Sequence, residues 1–317
     1  MSGKYSVKLT DVVAEYDDLR IAYAADDYDT KLIETADLNR PGLQLMGFFD
    51  YFDPSRIQIL GKAEMTLLNG KTPQSRLSSL SELMSRGCPA VIVAHDQPVI
   101  PEMLEAAQRY NTTVLATDVD TSEFYAQLIG TLRHHLAPRE TVHGVLVEVH
   151  GEGMLIVGDS GVGKSETALE LIKRGHRLIA DDAVEILRTN RLTLEGRAPE
   201  LIRNYMELRG VGVVDIANLY GVGAVKPSAR IDLIVSLELW DEKKVYDRFG
   251  LEENTREILG VSVPFVTIPV RPGRNLAVIL EVTAMNNRQK NSGYNAAETL
   301  ARQVDASVDA ALLNSEE

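Results

Sequence analysis

Hydrophobic positions along this chain fall into short runs with two different periods. Between residues 89 and 136 the order is PAVIVAHD, PEMLEAAQRYN, TTVLATD and TSEFYAQLIGTLRHHLAP. The two β-branched runs predict strands. Leu104, Ala107 and Tyr110 stand at near-helical spacing between them, so the segment reads as a parallel βαβ unit with a closing helix. Upstream, RLSSLSELMSRG predicts another amphipathic helix, stopped by Gly87. The helical period ends in HHLAPRETVHG, where a proline and several polar residues break it, and a strand pattern starts at Val142. The chain thus divides into a small α/β domain, residues 1–136, and a second domain, residues 137–317. VHGVLVEVHG predicts one alternating strand over 142–151, with His143 and His150 near its ends. After Met285 a polar, glycine-containing break around 291–293 precedes a helix with Leu300, Val304 and Val308 four apart, which predicts a terminal helix beginning past 285 on a loose joint.

One break in this pattern carries chemistry. In LIVGDSGVGKSETALELIKRG a buried strand tightens into a glycine turn and resumes as a helix. Gly158, Asp159, Ser160, Gly161, Val162, Gly163, Lys164 and Ser165 satisfy the P-loop spacing G-x-x-x-x-G-K-[ST]. Its glycines let successive backbone N–H groups converge on one phosphate, and the helix adds its positive end. Lys164 is expected on the β- and γ-phosphates of ATP, and Ser165 on Mg2+. Ala168, Leu171, Ile172 and Gly175 follow at i, i+3, i+4 and i+7, the stripe expected of a helix packed behind the loop.

A second apolar run, RLIADDAVEI, delivers Asp181 and Asp182 to a strand end. Open α/β sheets bind ligands there, so the pair is expected beside the P-loop, on the neighbouring strand. One carboxylate suits Mg2+ and the other a proton. Adjacent residues on extended chain point oppositely, which predicts separate roles. MELRGVGVVDI, YDRFG and IPVRPGRN supply arginines at turns, where they can offset phosphoryl charge.

Composition narrows the reading. The chain has 317 residues, long enough for two cores, with 46 acidic against 33 basic residues and a net charge of −13. No basic stripe exists to release phosphate counterions, so nucleic acid is not an expected partner. One cysteine, Cys88, rules out an internal disulfide. The N-terminus MSGKYSVKLT has no leader pattern, and no apolar run reaches 18 residues, so a cytoplasmic protein without a membrane partner is expected.

Taken in order, VHGVLVEVHG, GDSGVGKSE, LIADD, MELRGVGVVD and IPVRPGR resemble the HPr kinase/phosphorylase family over essentially the whole chain. The resemblance implies an α/β chain whose P-loop catalytic domain is similar to the nucleotide core of phosphoenolpyruvate carboxykinases. It implies ATP- and Mg2+-dependent phosphorylation of a seryl residue of HPr, a phosphocarrier protein of the sugar phosphotransferase system. The reverse reaction would be phosphorolysis by inorganic phosphate, giving pyrophosphate, and the assembly a homohexamer. It further implies catalytic roles for His143, Lys164, Asp182 and Arg248, and metal contacts for Ser165 and Glu207. Met206 to Asp215 would serve both reactions, and Pro269, Val270, Arg271, Pro272, Gly273 and Arg274 the reverse one. The N-terminal domain carries no implied chemistry beyond scaffolding or oligomerisation. Two other classes use a P-loop. A small-molecule kinase needs a closed acceptor pocket, and a nucleotide-sensing module has no use for Asp182.

Overall fold

The run Ile57–Leu60 buries every side chain, because helices cover both faces of the sheet to which it belongs. The computed structural model describes residues 5–244, 246 and 254–313 and falls into two units, Met1–Ala137 and Pro138–Glu317. In the first unit, strands β1 (Val7–Lys8) and β3 (Leu32–Ile33) form a small antiparallel pair beside helix α1 (Leu9–Val13). Strands β2 (Arg20–Tyr23), β4 (Leu38–Asn39), β5 (Ile57–Leu60), β6 (Ala90–Val93) and β7 (Thr113–Ala116) make a sheet ordered β2-β7-β6-β5-β4. Only β2 runs antiparallel to its neighbour. Strand alternation sends Ile57, Ile59, Ala90 and Ile92 to one face, against Phe124, Leu128 and Leu132 of helix α5 (Thr121–His135). Leu60, Val91 and Val93 go to the other, against helices α2 (Lys62–Asn69), α3 (Pro73–Met84) and α4 (Pro101–Tyr110).

The predicted βαβ order is present, but the buried face of α4 is not the one the large side chains suggested. Met103, Ala106 and Ala107 are buried, whereas Tyr110 is 38% exposed. Alanines at i+3 and i+4 let the helix lie close to its neighbours, and that packing overrides side-chain size.

The second unit is built on two sheets. Strands β9 (Val145–Val149), β10 (Glu152–Gly158), β11 (Arg177–Ala180), β17 (Leu233–Leu239), β18 (Thr255–Ile258) and β19 (Val261–Val270) are ordered β11-β9-β10-β17-β19-β18. Strands β8 (Arg139–His143), β12 (Ala183–Arg188), β13 (Leu194–Arg197) and β16 (Ser228–Arg230) form an antiparallel sheet ordered β16-β13-β12-β8. A hairpin of β14 (Tyr205–Leu208) and β15 (Gly212–Asp215) is followed by the short helix α7 (Ile216–Tyr220). One core lies between the six-stranded sheet and helices α6 (Lys164–Lys173) and α8 (Leu276–Asn291), including Val147, Ile156, Leu171, Val235 and Leu280. The other core, including Leu146, Leu155, Val184, Ile186 and Ile234, joins the two sheets.

Four expectations are corrected here. The stretch predicted as one alternating strand over 142–151 is two strands in two different sheets. Gly144 makes the crossing, where a Cβ would stand 2.7 Å from the Ile156 carbonyl oxygen, and β9 is buried along its whole length. Strand β11 does not neighbour the P-loop strand β10, because β9 lies between them and is antiparallel to both. Two reversals leave β10 and β11 parallel, so their carboxyl ends still share one edge. Gly175 lies outside α6, which ends at Lys173, and turns with φ 96° into β11. The tail break falls after Asn291 as expected, but residues 286–291 do not belong to the tail: α8 runs unbroken to Asn291, held by a hydrogen bond of 2.9 Å from Asn287 to Glu152, and helix α9 (Ala296–Leu313) begins after the break. Among the described residues no helix is long and apolar enough to cross a membrane.

Candidate functional site

The turn from β10 to α6 is held open by glycines. Gly158, Gly161 and Gly163 have φ of 142°, 84° and 99°, conformations that cost a residue with a Cβ. At Gly158 a Cβ would also meet the Leu237 carbonyl oxygen at 2.2 Å. Val162 points the other way, 7% exposed, and anchors the loop in the core. Gly163 precedes α6 with no side-chain cap, so the first N–H groups of the helix are left for a ligand. Lys164 is buried, and its Nζ donates to the carbonyl oxygens of Gly158 and Asp159 at 2.8 and 3.1 Å. The loop therefore holds its own cation at the mouth of the nest.

The two aspartates diverge as expected, but by a turn and not by strand alternation, since β11 ends at Ala180. Asp181 is 3% exposed; it accepts from Ser165 Oγ at 2.8 Å through one oxygen and from the Glu207 N–H at 3.0 Å through the other. Burial pushes its carboxyl above the usual range, while those two donors pull in the opposite direction. Asp182 faces solvent, with its side chain 68% exposed. It sits at φ 66° in a tight turn closed by the Ala183 N–H on the Asp181 carbonyl at 2.8 Å. That conformation costs a non-glycine residue, and in it the Asp182 carboxylate lies in solvent. His143 pairs with Ala183 across β8 and β12, which places its Nδ1 3.2 Å from Asp182 Oδ1 and 2.9 Å from the Asp182 carbonyl oxygen.

An open cleft gathers His143, Ser160, Gly161, Gly163, Lys164, Ser165, Asp181, Asp182 and Glu207. It does not gather the turn at 269–274. Strand β19 is two places from β10, with β17 between, and Arg271 instead lies 3.3 Å over the Trp240 ring while Arg274 donates to the Pro269 carbonyl at 3.1 Å. Because β10, β17 and β19 are parallel, that turn leaves the sheet at the P-loop edge. Arg248 lies outside the described residues.

Two contacts escaped the sequence reading. Arg209, at the tip of the β14–β15 hairpin, donates to Ser160 Oγ at 3.0 Å and lies against Gly161. The sequence offered Arg209 as the arginine of MELRGVGVVDI, able to offset phosphoryl charge, but not its contact with Ser160. Asp181 was recognised as half of a pair, but its bond to the Glu207 backbone, which ties hairpin to P-loop, depends on a contact 26 residues distant.

Comparison with known proteins identifies the family. The model of the HPr Serine kinase N terminus matches residues 7–132, and that of the HPr Serine kinase C-terminal domain matches residues 134–304. A relative from Caldicellulosiruptor bescii, named HPr kinase/phosphorylase, is 53% identical over 276 residues, 87% of this chain and 89% of its own. One of the same name from Lactobacillus johnsonii is 46% identical over 92% of each chain. A solved structure of the Hpr(Ser) kinase/phosphatase from Coxiella burnetii is 34% identical, with a TM-score of 0.46 over 51% of this chain and 98% of that one. With both family models matched and about half of all positions shared with such relatives, the chain belongs to the HPr kinase/phosphorylase family of enzymes.

Proposed function

We propose that this enzyme transfers the γ-phosphoryl group of ATP to a seryl hydroxyl of HPr and reverses the transfer with inorganic phosphate, releasing pyrophosphate. The observation that carries the proposal is the exposed Asp182 carboxylate in the same cleft as the glycine nest and Lys164. Loop N–H groups and Lys164 bind the β- and γ-phosphates, exchanging the neutral carbonyls that Lys164 now contacts for anionic oxygens. Ser165, Asp181 and Glu207 offer a hydroxyl and two carboxylates, the hard oxygen donors that Mg2+ prefers. When bound, Mg2+ neutralises charge on the β- and γ-phosphates. Asp182 accepts the seryl proton as the hydroxyl oxygen bonds to phosphorus and the bond to ADP breaks. His143 holds the Asp182 carboxylate toward the acceptor. We assign Arg248 to the charge of the transferred group.

In reverse, an oxygen of inorganic phosphate attacks the phosphoseryl phosphorus, the bond to the seryl oxygen breaks, and Asp182 returns its proton to that oxygen. Pyrophosphate leaves. Pro269, Val270, Arg271, Pro272, Gly273 and Arg274 stand at the edge where the second anion must be held. The likeness of the P-loop unit to the phosphoenolpyruvate carboxykinase core, a homohexamer, residence in the cytoplasm and a role in carbon catabolite repression belong to the same reading. The mixed sheet around the P-loop bears on the first of these alone, and the others rest on the family resemblance. The test supplies HPr with ATP and Mg2+ and identifies the modified residue. It then incubates phosphoseryl HPr with isotopically labelled phosphate. Label in pyrophosphate is expected, and phosphate release independent of added phosphate would refute phosphorolysis.

A further inference from the structure

At the edge of the six-stranded sheet opposite the P-loop, three elements bring together side chains that phosphoryl transfer does not use. His150 occupies the β9–β10 turn with φ 51°, its carbonyl accepting from Arg288 Nη1 at 3.4 Å. His176 follows α6 and is 8% exposed, and Glu281 projects from α8. His176 Nε2 stands 3.0 Å from Glu281 Oε1, and the two imidazoles meet edge to face with centroids 4.7 Å apart. One ligand atom from each of the three residues lies within 4.8 Å of the others. Glu281 lies 105 residues from His176, which hides the full cluster from any spacing motif.

We infer that His150, His176 and Glu281 form a binding site for a divalent cation of the zinc class. Two imidazole nitrogens and one carboxylate oxygen are a donor set that suits zinc. A nitrogen and an oxygen 3.0 Å apart, each about 2.0–2.1 Å from a shared ion, subtend roughly 95° at it, inside the range that a distorted tetrahedron accepts. The 4.8 Å span shortens by rotation of the exposed His150 ring. Arg174 supports the carboxylate from outside, donating to Glu281 Oε1 and Oε2 at 2.9 and 2.7 Å, and such outer partners orient a ligand without replacing it. The ion would tie α8 to the turns on either side of the P-loop strand and helix.

Zinc binding to the full chain is measured by equilibrium dialysis in excess Mg2+, for wild type, His150→Ala and His143→Ala. His150 is an exposed turn residue, so its substitution leaves the core intact. The expected result is a loss of one zinc equivalent, or an affinity fall of about 100-fold, in His150→Ala but not in His143→Ala. X-ray absorption of the zinc-loaded wild type should show two imidazole ligands. Equal zinc binding by wild type and His150→Ala, or fewer than two imidazoles, overturns the site and leaves Arg174, His176 and Glu281 as an ion-pair cluster.

Discussion

The β5–α2 junction of the first unit and the β10–α6 junction of the second both pass from a buried parallel strand into a helix, yet they spend their backbone donors in opposite ways. At the first, Gly61 lies in extended conformation and its N–H donates to Glu64 Oε2 at 2.9 Å. Glu64 is 6% exposed and takes two further bonds from Arg40, at 3.1 and 2.8 Å. A Cβ at Gly61 would stand 2.3 Å from Thr121 Oγ1, so the space above the helix is filled. At the second junction three glycines turn the backbone outward, Lys164 is buried, and the first-turn carboxylate, Glu166, is exposed. One junction answers its helix dipole internally, and the other leaves it for an anion. The same topology is structural in one place and chemical in the other because of which charge stands inside the first turn.

The largest effect that sharpens this contrast is expected from Lys164→Ala, which should abolish phosphorylation and phosphorolysis while circular dichroism stays that of a folded chain. Near wild-type turnover by a soluble variant would erase the distinction. Next comes Asp182→Asn, which keeps nucleotide binding but cannot take the seryl proton, so turnover should fall about 10²- to 10⁴-fold. Equal loss of nucleotide affinity would make Asp182 a metal or structural residue. Arg271→Ala together with Arg274→Ala should weaken phosphorolysis about 10-fold or more, the scale of a lost charge-assisted bond, and phosphorylation less. Equal losses in the two directions would remove the turn from the reverse reaction.

The smallest effect on activity belongs to the first junction. Glu64→Gln should leave ATP binding unchanged and destabilise the fold by about 1–3 kcal/mol, read from urea unfolding. Burial pushes the Glu64 carboxyl up, but the bonds from Arg40 and Gly61 prevail and hold it below its ordinary 4.5. Its contribution is therefore complete above about pH 4.5 and lost as pH falls through the lowered folded value. The wild type should lose stability in that acid window, and Glu64→Gln should lose less.

What could be read from the chain was what local spacing encodes. Gly158 to Ser165 declares its loop because the residue types that mark it lie within eight consecutive positions. The βαβ order around Ala90–Val93 and Thr113–Ala116 follows from period and turn residues alone. Gly144 did not declare that the strand changes sheets, because an alternating pattern looks the same whether its partner is β12 or β10. The rotation of α4 was equally hidden, since alanine contributes little to an apolar stripe yet decides how near two helices come. Arg209 on Ser160 and Asp181 on the Glu207 amide are products of tertiary pairing, without a counterpart in spacing.

The crossing at Gly144 also limits how this gene product can change length. His143 and Val145 belong to different sheets, joined by a single residue that has no room for a side chain. Inserting or deleting one residue there flips the pleat on one side of the seam. Either His143 would turn away from Asp182 or Val145, Val147 and Val149 would leave the core. Substitutions around the cleft are thus open to gradual tuning, whereas insertions and deletions at position 144 should be absent from any functional library of this chain.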